Sequence, residues 1–133
     1  ADGTEKLVKD DLIKNLIVDV GKDSIMKRIG NMTGGGYAEN IGVGDSTTAA
    51  AAGQTDLQAS SNKTYKTIAS SDYVYTRPTL FISVDFGYSE ANYTWNEICL
   101  RDNNDVLLAR QVDASPLGKT TSKRAIVEWQ LSI

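Results

Sequence analysis

Across residues 62–133 the chain reads as short stretches in which apolar and polar residues alternate, separated by turn residues. A period of two sends successive side chains to opposite faces of a strand, so each run can bury its apolar face only against another layer. Leu80, Ile82, Val84 and Phe86 alternate with Phe81, Ser83 and Asp85, while Ala125, Val127, Trp129, Leu131 and Ile133 form the inward face of a closing strand. Thr94, Asn96, Ile98 and Leu100 alternate with Tyr93, Trp95, Glu97, Cys99 and Arg101. The following turn, Asp102, Asn103, Asn104 and Asp105, is a hairpin signal, because Asn and Asp tolerate left-handed φ and cap their own turns. Arg77-Pro78 breaks another pair of runs, and Pro116 with Gly118 marks a later loop. Strands recurring at about 8–12 residues predict a mainly β protein: an antiparallel β-sandwich, jelly-roll-like, with an N-terminal helical segment.

The helical segment is read from residues 5–18, where Leu7, Val8, Leu12, Ile13, Leu16 and Ile17 recur at three- and four-residue intervals between charged residues. Thr4 is the candidate N-cap. A competing reading makes residues 16–20 a short strand, since Ile17, Val18 and Val20 are β-branched; Gly21 ends the element either way. A second helical turn is expected from Ser24 to Ile29, closing at Gly30. Gly34, Gly35 and Gly36 then make a turn into a strand over residues 37–43. Residues 44–54, small and polar, read as a long surface connection, and Thr55-Asp56-Leu57 as the start of a helical turn. With 133 residues, 41% of them hydrophobic, the chain has material for one core. The expected division is a helical arm and glycine joint over 1–36 and a sandwich over 37–133.

Chemistry is sparse. There is no histidine, Cys99 is the only cysteine, and fourteen Lys and Arg against seventeen Asp and Glu leave a net charge of -3 with no basic block. A nucleic-acid partner lacks its electrostatic footprint. No apolar run approaches the roughly 18 residues that span a bilayer, so no membrane is expected either. Residues 102–113 fail as a calcium loop because Leu107 stands where a glycine must make the turn, and Val106 at a ligand position. Gly118-Lys119-Thr120 lacks the earlier glycine of a phosphate loop, and Gly42-Val43-Gly44 the third glycine of a dinucleotide fingerprint. No cofactor or metal is expected, and no catalytic residue. Asp85, Glu90 and Glu97 are the only set from which paired carboxylates could be drawn. Glu97 lies between Trp95 and Cys99 on a face that reads as buried, so it needs a cation, with Arg101 or Lys119 to supply it. Tyr75, Tyr88 and Trp95 could alternatively make a glycan-stacking face; the alternative function is a carbohydrate-binding β-sandwich module for host-surface glycans.

Two blocks carry a resemblance. The first is Ile41-Gly42-Val43-Gly44-Asp45-Ser46-Thr47-Thr48, followed by alanines and Thr55-Asp56-Leu57. The second is Ala91-Asn92-Tyr93-Thr94-Trp95-Asn96-Glu97-Ile98-Cys99-Leu100 with Leu107-Leu108-Ala109-Arg110, then Lys119 and a last strand ending at Ile133. Together they resemble a β-sandwich domain of tailed-bacteriophage virion proteins, over roughly residues 37–133. Cys99 stands where that family usually has glycine, and Arg101 where it often has an aromatic residue. The resemblance implies a non-enzymatic structural component of the virion, placed on tail, collar, fibre base or capsid surface. Its partners would be other virion proteins, with the chain as a symmetric homo-oligomer or in multiple copies on the particle. The apolar stripe outside the resembling region, Leu12, Ile13, Leu16 and Ile17, is the expected subunit-anchoring face.

Overall fold

The computed structural model describes residues 4–10 and 16–132. The element order is β1 (Thr4–Asp10), β2 (Leu16–Ile17), α1 (Asp19–Ile29), β3 (Ala38–Gly44), β4 (Lys63–Thr67), a 3-10 turn (Ser70–Asp72), β5 (Tyr73–Thr76), β6 (Thr79–Phe86), β7 (Thr94–Asp102), β8 (Leu107–Gly118) and β9 (Arg124–Ser132). They build two sheets, ordered β1-β9-β6-β5 and β2-β8-β7-β3-β4. The first strand runs parallel to the last, and every other pairing is antiparallel. This is a sandwich, mainly β, with one α-helix among the described residues.

The alternation read from β6 and β9 is what closes the core. Ile82, Val84 and Phe86 of β6 and Ala125, Val127 and Trp129 of β9 are buried, while Asp85 between them is exposed. From the facing sheet come Ile41 and Val43, Trp95, Ile98 and Leu100, and Leu108 and Ala109. In β7 the simple alternation fails. The register with β8 slips between Trp95 and Glu97, a bulge that turns Trp95 to the same core as Ile98 and Leu100. Cys99 joins a second cluster with Val18, Leu57 and Leu107 on the opposite face, covered by residues around the start of α1 and by the connection between β3 and β4.

The N-terminal region differs from the helix expected over residues 5–18. Thr4 is not a cap; residues 4–10 form β1, paired with β9 from Thr4↔Arg124 to Asp10↔Gln130. An apolar run this short fits either period, and a free edge on β9, whose inward residues are fully buried, offers a backbone ladder that outweighs helix propensity. Leu16 and Ile17 make the short strand β2, as the competing reading had it, and the helix begins only at Asp19. Residues 1–36 thus contribute two strands and α1 to the sandwich. Of the proposed anchoring residues, Leu16 and Ile17 are half-buried, and Ile17 packs on the main core. Leu12 and Ile13 lie outside the described residues.

Gly21, expected to end an element, lies inside α1. A Cβ there would overlap the carbonyl oxygen of Leu108 and come within 2.7 Å of its Cα, so only glycine lets the helix lie flat on β8. Gly21→Ala is expected to cost about 3 kcal/mol, the upper part of the range for overpacking, because a backbone atom cannot rotate away. Urea denaturation measures it, with Lys22→Ala, on the exposed side of the same turn, shifting by no more than about 0.5 kcal/mol. The glycine turn after α1 forms as expected, with Gly34 at φ 92°. The hairpin at residues 102–105 also forms, with Asp105 at φ 61°. Asp102, fully buried, accepts the amides of Asn104 (2.8 Å) and Val106 (2.9 Å) and the hydroxyl of Ser24 (2.6 Å), tying the helix to the hairpin.

Candidate functional site

The carboxylate of Glu97 is 0% exposed. Arg110, equally buried, donates from Nε to Oε1 at 2.9 Å. The remaining lone pairs are taken by the connection between β3 and β4: Gln58 N donates to Oε1 (2.8 Å), and Ala59 N (2.9 Å) and Ser46 N (3.3 Å) donate to Oε2. Arg110 Nη1 in turn reaches Gln54 Oε1 at 3.1 Å, and its Nη2 has no protein partner. A segment that reads as a loose surface connection is therefore wrapped around one carboxylate, with Leu57 and Ala59 buried beneath it. Residues 55–57 make no helical turn; Asp56 instead accepts from its neighbour's amide, from Lys63 and from the hydroxyl of Tyr65. Burial works to raise the Asp56 pKa, but these donors outweigh it and hold the carboxyl below its ordinary value.

The glycines of Gly42-Val43-Gly44 acquire a reason here. A Cβ at Gly44 would overlap Glu97 Oε2, and one at Gly42 would meet the Tyr65 ring at 2.7 Å and Cys99 Sγ at 2.8 Å. They make room for side chains on the outer face of β3. The thiol of Cys99 is closed off, and burial pushes its pKa up to about 12. The cation for Glu97 is neither of the two expected. Arg101 lies over the Tyr65 ring, its Cζ 3.6 Å from the centre, and donates to Asn40 Oδ1 at 2.6 Å. Lys119 Nζ donates to Gly87 O and Asn92 Oδ1, both at 2.8 Å. Burial holds the pKa of its ammonium below the ordinary lysine value. Arg110 could have been found from hairpin register, since it faces Cys99 while Glu97 faces Val112, making the two diagonal neighbours.

A second feature is apolar. At the end of the sandwich next to α1 the sheets part around a cavity of about 420 Å³, open to solvent. Ile17, Ile25, Tyr75, Leu80, Leu108 and Leu131 are among its lining residues. Apolar residues on the strand and helix that line it are exposed as well. Ile29, one turn after Ile25 on the same helix face, is 75% exposed, Met26 66% and Tyr75 66%. Nothing in the periodicity of α1 separates its covered apolar residues from its bare ones, so the sequence carries no sign of this surface.

The other candidates are dispersed. Among the acids, Glu97 is enclosed, Glu90 pairs with Lys66 at 2.6 Å, and Asp85 pairs with Arg124 at 3.3 Å. The Lys66 hydrogen bond, with the amide of Gly87, holds the Glu90 carboxyl below its usual pKa. Among the described residues, no group of three or more Cys, Asp or Glu is placed to hold a metal ion. The three aromatics of the glycan-stacking face do not share one. Trp95 is 1% exposed, with its edge against Phe86 and its indole N–H on Ala91 O at 2.9 Å. Tyr75 pairs with Leu80 at the start of β6, and Tyr88 follows its end at Phe86, a separation of about 20 Å along the strand. Comparison with protein families, with curated proteins and with solved structures finds no match for this chain.

Proposed function

We propose that the chain is a non-enzymatic structural component of a tailed-phage virion that binds neighbouring virion subunits and is carried in multiple copies. Virion identity rests on the resemblance; what supports it is where its residues lie. Glu97 and the Leu108-Ala109-Arg110 strand meet in the buried ion pair, the Ile41–Thr48 block and its continuation enclose that pair, and Asn92 meets Lys119. These residues stiffen a block. The observation that carries the binding role is an open apolar cavity lined in part by Ile25 and exposed Tyr75, with Met26 and Ile29 exposed on the same helix as Ile25, since apolar surface of this kind gains about 25 cal/mol per Å² when a neighbour covers it. Docking therefore falls to α1 and the β5–β6 turn, with half-buried Ile17 contributing to the lining of the same cavity.

The test is mass spectrometry of gradient-purified particles produced by the genome that encodes the chain. The protein is expected among the stoichiometric particle components, and Ile29→Asp, at an exposed position, is expected to fold with the parent's melting midpoint yet be depleted from particles about tenfold or more. A protein found in the lysate but missing from purified particles refutes the reading.

A further inference from the structure

Among the described residues the sandwich has four outer strands, β1 and β5 in one sheet and β2 and β4 in the other. Outer strands present unpaired backbone groups, and proteins commonly guard them with charge, brevity or proline. β1 reads Thr-Glu-Lys-Leu-Val-Lys-Asp, and β2 is two residues long. β4 carries Lys63 and Lys66, each held in an ion pair, with Asp56 (3.2 Å) and Glu90 (2.6 Å). β5, Tyr73-Val74-Tyr75-Thr76, has no charge, proline or glycine, and it leaves Val74 51% and Tyr75 66% exposed.

Charge lies only at its two ends. Asp72 precedes the strand and Arg77 follows it, and neither forms an ion pair within the chain among the described residues. A strand negative where it starts and positive where it stops complements a copy of itself only when the two run antiparallel; a parallel partner would set like against like. A twofold axis normal to the sheet gives that arrangement and keeps both cores on one side of the joined sheet.

We propose that β5 is a self-pairing edge, taking the β5 of a second copy of this chain in antiparallel register centred on Val74. The two Val74 side chains then lie together on the outer face, Tyr75 stands opposite Tyr73 of the second copy, and each Asp72 end meets an Arg77 end. Two four-stranded sheets become one continuous sheet. An edge of four residues is small against the roughly 800 Å² per partner of a standard interface, so the dimer is weak and depends on concentration. The proposal stands on the chemistry of the edge and not on the virion reading, and solution mass and particle composition test the two separately.

Sedimentation equilibrium of the full chain over a micromolar concentration series decides it. A monomer–dimer equilibrium is expected. Val74→Lys, which sets two ammonium groups together at the axis, should leave only monomer. Arg77→Asp should raise the dissociation constant about tenfold, and the exchange Asp72→Arg with Arg77→Asp should bring it back. Both single changes are at exposed positions, and the parent's melting midpoint confirms that each variant folds. A parent that stays monomeric throughout the series overturns the proposal. So does a dimer that Val74→Lys leaves intact, or a charge exchange that recovers nothing.

Discussion

Glu97→Ala is expected to destabilise the protein by about 3–5 kcal/mol, the cost of breaking a buried ion pair from one side. Two losses combine. Arg110 keeps its charge at 0% exposure with only Gln54 as partner, and the amides of Ser46, Gln58 and Ala59 lose their acceptor. Replacing a buried ion pair by apolar residues of similar volume is often neutral, but here the amides belong to a third party, the connection over residues 45–62. Glu97→Leu combined with Arg110→Met is therefore expected to recover only part of the loss. Glu97→Gln should fall between, since its carbonyl oxygen can still accept from the loop while its amide group confronts donors. Urea denaturation gives the free energies, and amide hydrogen exchange at residues 46, 58 and 59 reports whether the loop loosens first. A Glu97→Ala protein within about 1 kcal/mol of the parent would show that the carboxylate does not organise the loop.

This centre shows how far the sequence could be read. The inward faces of β6 and β9 were legible because each carries an uninterrupted period of two and each is covered on that face by the opposite sheet. The turn at residues 102–105 was legible because Asp and Asn make it through their own side chains. β7 was half legible. Its alternation points Trp95, Glu97 and Cys99 the same way, and a bulge at Asn96, which no local residue type announces, separates Trp95 from the other two. β1 was misread because its pairing partner lies more than a hundred residues away, and the apolar spacing of Leu7, Val8 and Leu12 suits a helix equally well. The need of Glu97 for a cation followed from burial alone, but its identity as Arg110 depended on hairpin register and on a second register shift, between Leu100 and Arg101, close to the turn. The apolar cavity is a property of how two sheets part at one end, which strand periodicity does not encode.

Trp95→Ala is the second large effect, expected at about 3–5 kcal/mol for loss of a fully packed indole. The ring sits edge-on to Phe86 with centroids 5.1 Å apart, and its N–H closes on the carbonyl of Ala91, a residue held at φ 51°. Removing it opens a cavity between the sheets and frees the turn that leads into β7. Trp95→Phe should cost less, because it keeps most of the ring's area but leaves the Ala91 carbonyl without its donor. The comparison with Tyr75→Ala matters most, since both residues would belong to a glycan-stacking face. Tyr75 is 66% exposed and its removal should change stability by no more than about 0.5 kcal/mol. Denaturation of the three variants therefore separates a core tryptophan from a displayed one. A Trp95→Ala protein as stable as its parent, accompanied by loss of binding on a glycan array, would put the carbohydrate reading ahead of the structural one.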